Sequence, residues 1–146
     1  MSTRIFPTAQ DAENAFYEAL ERGDLEGMMA VWSEDEEIVC VHPAGPRLAG
    51  QAQVRESWRQ MLGGGTGMRV QVAQRVAVTG VMLAVHSVHE IITVAGEPRP
   101  RPPVVATNVY LRTPAGWRMV AHHASPAPGA AAAAIPAPPA GPKILH

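Results

Sequence analysis

The chain has 146 residues, 47% of them hydrophobic and 17% charged, with a formal net charge of −1. That length suits one domain with its own core, and the charge balance offers nothing to draw the chain to nucleic acid or anionic lipid. The single cysteine, Cys40, excludes an intramolecular disulfide framework and fits a reducing cytoplasm; neither a leader-like start nor an apolar run of membrane-spanning length is present in the sequence.

Three helices come first. Thr8 and Asp11 form a capping-box pattern ahead of Ala12, Ala15, Phe16, Ala19 and Leu20, which recur at helical spacing until Gly23. Asp24 caps a short second helix with Leu25, Met28, Met29 and Trp32 on its inner face. Residues 38–42 read as a strand that Pro43 ends. Residues 51–62 read as a third helix through Val54, Trp58, Met61 and Leu62, closed by Gly63-Gly64-Gly65. That glycine run lacks the Lys-Ser or Lys-Thr of a phosphate loop and reads as a helix stop and turn.

Sheet follows. Over residues 68–78 the apolar side chains Met68, Val70, Val72, Val76 and Val78 alternate with polar ones, the pattern of a half-buried strand. A two-residue turn at Thr79-Gly80 pairs Val78 with Val81 and leads into a long strand over 81–94. A proline-rich loop, 97–103, precedes a strand over 104–112. Thr113-Pro114-Ala115-Gly116 then turns the chain into a last strand, 117–125, with Thr113 opposite Trp117. After Ser125 the composition shifts to Ala, Pro and Gly, which divides the chain into a domain over 1–125 and a flexible C-terminal tail over 126–146. The order is α+β: a strongly bent sheet wrapped on helices, with a hollow at its open end suited to a small molecule.

The turns set the faces. Val81, Leu83, Val85, Ser87, His89 and Ile91 share the face of Val70 and Val72, while Thr107, Val109 and Leu111 lie beside Trp117, Met119, Ala121 and His123. His86, Asn108, Tyr110 and His122 point the other way. The polar groups expected in the hollow are therefore His42, His89 and His123, with Ser125, Thr107 and Gln74 as neutral partners. Trp32, Trp58, Val109, Trp117 and Met119 are its expected walls. An imidazole titrates near neutrality and serves as base or acid in a pocket; the alternative for each histidine is a satisfied structural group. His86 with His89, and His122 with His123, project to opposite faces of a strand, so neither pair chelates. Only a cross-strand set such as His42, His89 and His123 could hold a metal, with thin carboxylate support for a metal-dependent hydrolase; no cofactor motif emerges, and Cys40 reads as a small buried hydrophobe.

The stretches Ala19-Leu20-Glu21-Arg22-Gly23-Asp24-Leu25-Glu26-Gly27-Met28, Trp32-Ser33-Glu34-Asp35, Val41-His42-Pro43-Ala44-Gly45 and Leu48-Ala49-Gly50 resemble the first half of SnoaL-like and ketosteroid-isomerase-like proteins. Gly116-Trp117-Arg118-Met119-Val120-Ala121-His122-His123-Ala124-Ser125 is similar to the closing strand of the SnoaL-like and DUF4440-type branches of that NTF2-like superfamily. The resemblance covers roughly residues 8–125. It implies a cone-shaped α+β barrel, three N-terminal helices packed on a strongly curved, mostly antiparallel sheet, commonly a homodimer through the sheet's outer face. In the steroid isomerases of this fold, an aspartate before the corresponding proline removes the substrate proton; His42 stands there in this chain. Their oxyanion-hole tyrosine falls at Phe16 or its neighbour Tyr17, and their protonated acid on the sheet has no evident counterpart, which argues against steroid isomerisation. Two readings follow. One is a pocket protein for a small, largely apolar organic ligand, with His42 and His123 as the acid–base pair of an isomerase or cyclase. The other is a non-catalytic dimeric domain for ligand binding or protein association.

Overall fold

The computed structural model describes residues 4–65 and 67–128. Most of the expected tail, from residue 129 onward, lies outside the described residues. Three helices, α1 (Ala9–Arg22), α2 (Leu25–Val31) and α3 (Gln51–Leu62), pack on a curved sheet of six strands. The strands are β1 (Val39–Val41), β2 (Arg47–Ala49), β3 (Met68–Thr79), β4 (Leu83–Val94), β5 (Val104–Thr113) and β6 (Gly116–Pro126). Their spatial order is β2-β1-β6-β5-β4-β3, antiparallel throughout except for the parallel β1–β6 pair. The expected α+β fold, helices on a mostly antiparallel sheet, is the one observed. The short β2 was not anticipated, because three residues are too few to show an alternation.

Local chemistry explains the helix limits. The Thr8 hydroxyl accepts the Asp11 amide at 3.0 Å, and Asp24 does the same for the Gly27 amide at 2.9 Å. Gly23 stops α1 in the left-handed conformation, φ 67°, where a side chain would be strained. The core lies between the helices and the inner face of the sheet, where Phe16, Leu20, Met28, Val31 and Trp58 meet Ala84, Val88, Ala106, Met119 and Ala124. Packing extends past Ser125: β6 includes Pro126, and the buried Ala127 gives its N–H to the Pro103 carbonyl at 2.9 Å.

Two bulges decide which side chains face inward, and they reverse part of the expected assignment. In β3 the register shifts between Ala73 and Val76, around Gln74 at φ 51°. Before this bulge Val70 and Val72 pair with Ile92 and Glu90 on the inner face; after it Val76 and Val78 are exposed outside. In β6 one extra residue, Val120, sits between the pairs Tyr110–Met119 and Val109–Ala121. Each extra residue turns the following half-strand over. The β3–β4 turn is also longer than two residues: Thr79 pairs with Ala84, and the Gly80 amide donates to the Leu83 carbonyl at 2.8 Å. At the other hairpin Thr113 pairs with Gly116 rather than Trp117. The inward row is thus Ala84, His86, Val88 and Glu90 on β4, and Val104, Ala106, Asn108 and Tyr110 on β5.

Candidate functional site

One cross-strand row carries polar side chains through the interior: Cys40 on β1 stands beside His122 on β6, His122 beside Asn108 on β5, and Asn108 beside His86 on β4. Helix α1 lays Glu13 and Tyr17 over this row, because both fall on its apolar stripe with Ala9, Ala12, Phe16 and Leu20. Glu13 is wholly buried, at 0% exposure. Its Oε1 accepts Arg75 Nε–H at 2.7 Å. Its Oε2 accepts the Tyr110 hydroxyl at 2.9 Å, His86 Nδ1–H at 2.9 Å and Asn108 Nδ2–H at 3.2 Å. Arg75 reaches it from the residue after the Gln74 bulge, with a third of its side chain still exposed. A carboxylate sealed from water is tolerable only with such complete pairing.

A second carboxyl group lies at the other end of the network. The Tyr17 hydroxyl donates to Glu90 Oε2 at 2.6 Å and accepts Asn108 Nδ2–H at 3.0 Å. Glu90 has no cation beside it among the described residues. Burial pushes its carboxyl up to about 7, against the opposing effect of the Tyr17 hydrogen bond and with a smaller contribution from the charge of Glu13. Burial, and then the charge of Glu90, push Tyr17 far above the ordinary phenol range, so it stays protonated at any physiological pH. Burial likewise raises Tyr110 well above that range. Glu90 on β4 therefore places a buried acid on the inner face of the sheet.

His122 gives its Nδ1 proton to Asn108 Oδ1 at 2.6 Å, which leaves Nε2 bare. Burial drives this imidazole down to about 3, with the charges of His42 and His123 adding to the effect, so it is neutral. Its ring packs on Phe16 and Trp58, with centroids 4.9 and 6.1 Å away. His42 follows β1 on the same face, half-buried, with Nε2 3.1 Å from Ser57 Oγ and its ring edge-on to Trp58 at 4.7 Å. Burial holds it below the usual imidazole value. The same cause lifts the buried Cys40 thiol to about 12, where it is inert.

The expected site residues are thus divided. Trp32, Trp58, Trp117 and Met119 are buried in the core, and His42 reaches the edge of the interior. His89, Thr107, Val109 and His123 turn to the outer face instead, as their neighbours Val88, Ala106, Asn108 and His122 turn in; Ser125 is exposed, and so is Gln74 at its bulge. His42 and His123 therefore do not share a hollow, and an acid–base pair made of the two is set aside. The groups that do converge are Glu13, Tyr17, Arg75, His86, Glu90, Asn108, Tyr110 and His122. The one sequence signal for Glu13 is its place in a helical apolar stripe, where it reads as a polar interruption because its partners are remote in the chain.

Comparison with known proteins agrees with this architecture. The SnoaL-like domain family matches residues 10–129. A Thiobacillus denitrificans protein, provisionally named a calcium/calmodulin-dependent protein kinase type II association domain, is 41% identical, with 86% of this chain and 99% of that one covered at a TM-score of 0.77. A Streptomyces avermitilis protein provisionally named a dehydratase of the NTF2-like family is 33% identical, over 81% of this chain and 92% of that one, at a TM-score of 0.73. An NTF2-like Pseudomonas putida protein, 19% identical over 80% of this chain and 82% of that one at a TM-score of 0.71, shares the fold. No functionally curated protein matches. The chain belongs to the SnoaL-like family of the NTF2-like superfamily.

Proposed function

We propose that this protein binds a small, largely apolar carbonyl or hydroxy-carbonyl compound in the interior of its sheet and moves a proton on it. The observation that carries this reading is the Tyr17–Glu90 pair: a phenol locked in its protonated form, 2.6 Å from a carboxyl that titrates near 7. An acid–base group is most effective when it titrates near the working pH, and a buried neutral donor holds a developing oxyanion. In its ionised form Glu90 takes the proton from the carbon next to the carbonyl; the Tyr17 O–H, released from the now protonated carboxyl, turns to hold the carbonyl oxygen onto which the electron pair moves. Glu90 then returns the proton to another carbon, an isomerisation, or to a departing hydroxyl, a dehydration. The name carried by the Streptomyces relative favours the second. Half-buried Met68, Val70, Val72 and Ile92, packed against the core, supply an apolar approach to Glu90. Glu13, saturated by four donors, organises the network and keeps Asn108 aimed at Tyr17.

Proton abstraction is read directly by deuterium incorporation beside the carbonyl of small enolisable ketones and β-hydroxyketones in D2O. Exchange with the wild-type protein should fall roughly 100-fold or more in Glu90→Gln and remain close to wild type in His42→Ala. The opposite ranking would transfer the role to His42, the position of the base in the steroid isomerases, and overturn this assignment.

A second reading, association without turnover, is favoured by the exposed apolar side chains Val76, Val78, Val81, Met82 and Leu83 around the β3–β4 hairpin and by the name of the Thiobacillus relative. In it the outer face of the sheet seats a second copy of the chain.

A further inference from the structure

His122 and Asn108 are both buried and face each other across β6 and β5. The His122 Nδ1–H reaches Asn108 Oδ1 at 2.6 Å, and among the described residues no other side chain donates to that oxygen. The nitrogen of the same amide gives its two protons elsewhere, to Glu13 Oε2 at 3.2 Å and to the Tyr17 hydroxyl oxygen at 3.0 Å. Two of these partners demand one orientation of the amide, since an imidazole N–H needs an oxygen and a carboxylate needs an N–H. The Tyr17 hydroxyl has no such preference, because it both donates and accepts. Facing an amide N–H, it accepts there and its own proton goes to Glu90, 2.6 Å away. Facing an amide oxygen, it would give that proton to Asn108, and Glu90 would lose its donor. Burial keeps the His122 ring neutral, so it has one proton to place. On Nε2 that proton would leave two lone pairs opposed over 2.6 Å and Asn108 Oδ1 unpaired in the interior, a loss that turning the amide toward Tyr17 makes good.

We propose that His122 is a positioning residue of the proton-transfer site: its Nδ1–H holds the Asn108 amide in the orientation that leaves the Tyr17 proton two destinations, the Glu90 carboxylate and the substrate oxygen. Its bearing on catalysis rests on the proton-transfer reading, but the arrangement itself is measurable without turnover. Glu13 holds the same amide from the other side, so loss of His122 loosens the orientation rather than reversing it. The titratable groups that act on Glu90 are Tyr17 and Glu13 of α1, while the neighbouring strands set Val72 and Val104 beside it. The Tyr17 hydrogen bond favours the ionised form of Glu90, so weakening it raises the pH at which Glu90 ionises. The groups around His122 are the imidazoles of His42 and His123 and the inert thiol of Cys40.

The first measurement needs no variant. In the full-length wild-type chain labelled with 15N-histidine, the ring signals of His122 at neutral pH should show a protonated Nδ1 and a bare Nε2; the opposite tautomer overturns the proposal. The second compares His122→Leu, which removes the donor, with His122→Asn, which keeps an N–H close to the place of Nδ1–H. The Glu90 carboxyl is followed by 13C signal against pH and identified by its absence from Glu90→Gln. In His122→Leu its midpoint should rise by roughly half a pH unit or more, and His122→Asn should return it close to the wild-type value. Deuterium exchange into an enolisable ketone should fall roughly tenfold in kcat in His122→Leu, with little change in KM, and recover in His122→Asn. A merely structural role would lower stability in urea and leave the Glu90 midpoint where it is; that result in a folded His122→Leu overturns the proposal. Equal exchange in the wild type and Glu90→Gln would sink the proton-transfer reading instead, and the tautomer and the Glu90 midpoint would still decide what His122 does.

Discussion

Burial acts on Glu90 and His122 in opposite senses, since it disfavours an anion in the first and a cation in the second. Glu90, pushed from 4.5 up to about 7, keeps its proton in the folded chain where the unfolded chain has released it, so its contribution to stability is full below about 4.5 and is lost as the pH rises to 7. His122, pushed from 6.5 down to about 3, does the reverse: its contribution is full above 6.5 and is lost as the pH falls. Between about 4.5 and 6.5 the two slopes oppose each other. Glu90→Gln removes one of them, and urea denaturation of that variant should show stability climbing by about 3 kcal/mol across that interval, against a much flatter wild-type profile. A flat variant would contradict the burial of a neutral His122. Glu13 is a different case, because four donors depend on it. Glu13→Ala should cost roughly 3–5 kcal/mol in the same measurement, well beyond a surface substitution. These residues were only partly legible in the sequence. Ala12, Phe16 and Leu20 marked the buried stripe of the first helix, but a glutamate between them reads as a polar interruption until its partners, all more than sixty positions away, are brought to it by the sheet.

At the scale of the element, starts and stops were legible and faces were not. Thr8, Gly23 and Asp24 act locally, and the helices they bound have those limits. Strand alternation is also local, and β3 and β4 lie close to where it put them. A face, by contrast, is propagated residue by residue from an anchor, and one additional residue inverts everything beyond it. Val70 and Val76 have the same pattern value in the sequence yet lie on opposite sides of the sheet. The backbone of Gln74 shows where the inversion occurs: a non-glycine residue at φ 51° is in a left-handed conformation that costs roughly 1 kcal/mol. Gln74 is exposed and no side-chain hydrogen bond of it is among the described contacts, so Gln74→Gly should raise stability by up to about 1 kcal/mol, seen as a later denaturation midpoint with an unchanged slope. A loss of stability would mean that the amide side chain holds the bulge.

For the whole molecule the question is what covers the outer face. Val76, Val78 and Val81 are 65–76% exposed, and the neighbouring Met82 and Leu83 about half so. Apolar side chains grouped in this way mark an association surface more often than a bare one. Sedimentation should report a dimer for the wild-type chain and a monomer for the double variant Val78→Glu, Leu83→Glu, with the interior network and its pH profile intact in both. A wild-type monomer at micromolar concentration would leave the enclosed network, rather than association, as the working part of the fold. The bulges have one more consequence. Removing Gln74 or Val120 would leave the flanking pairs, Ala73–His89 with Val76–Ser87 and Tyr110–Met119 with Val109–Ala121, on the faces they already have, with a regular alternation between them. Each bulge is thus the device by which a stretch of sequence with the wrong parity for its strand still presents its apolar and polar side chains to the faces its neighbours require.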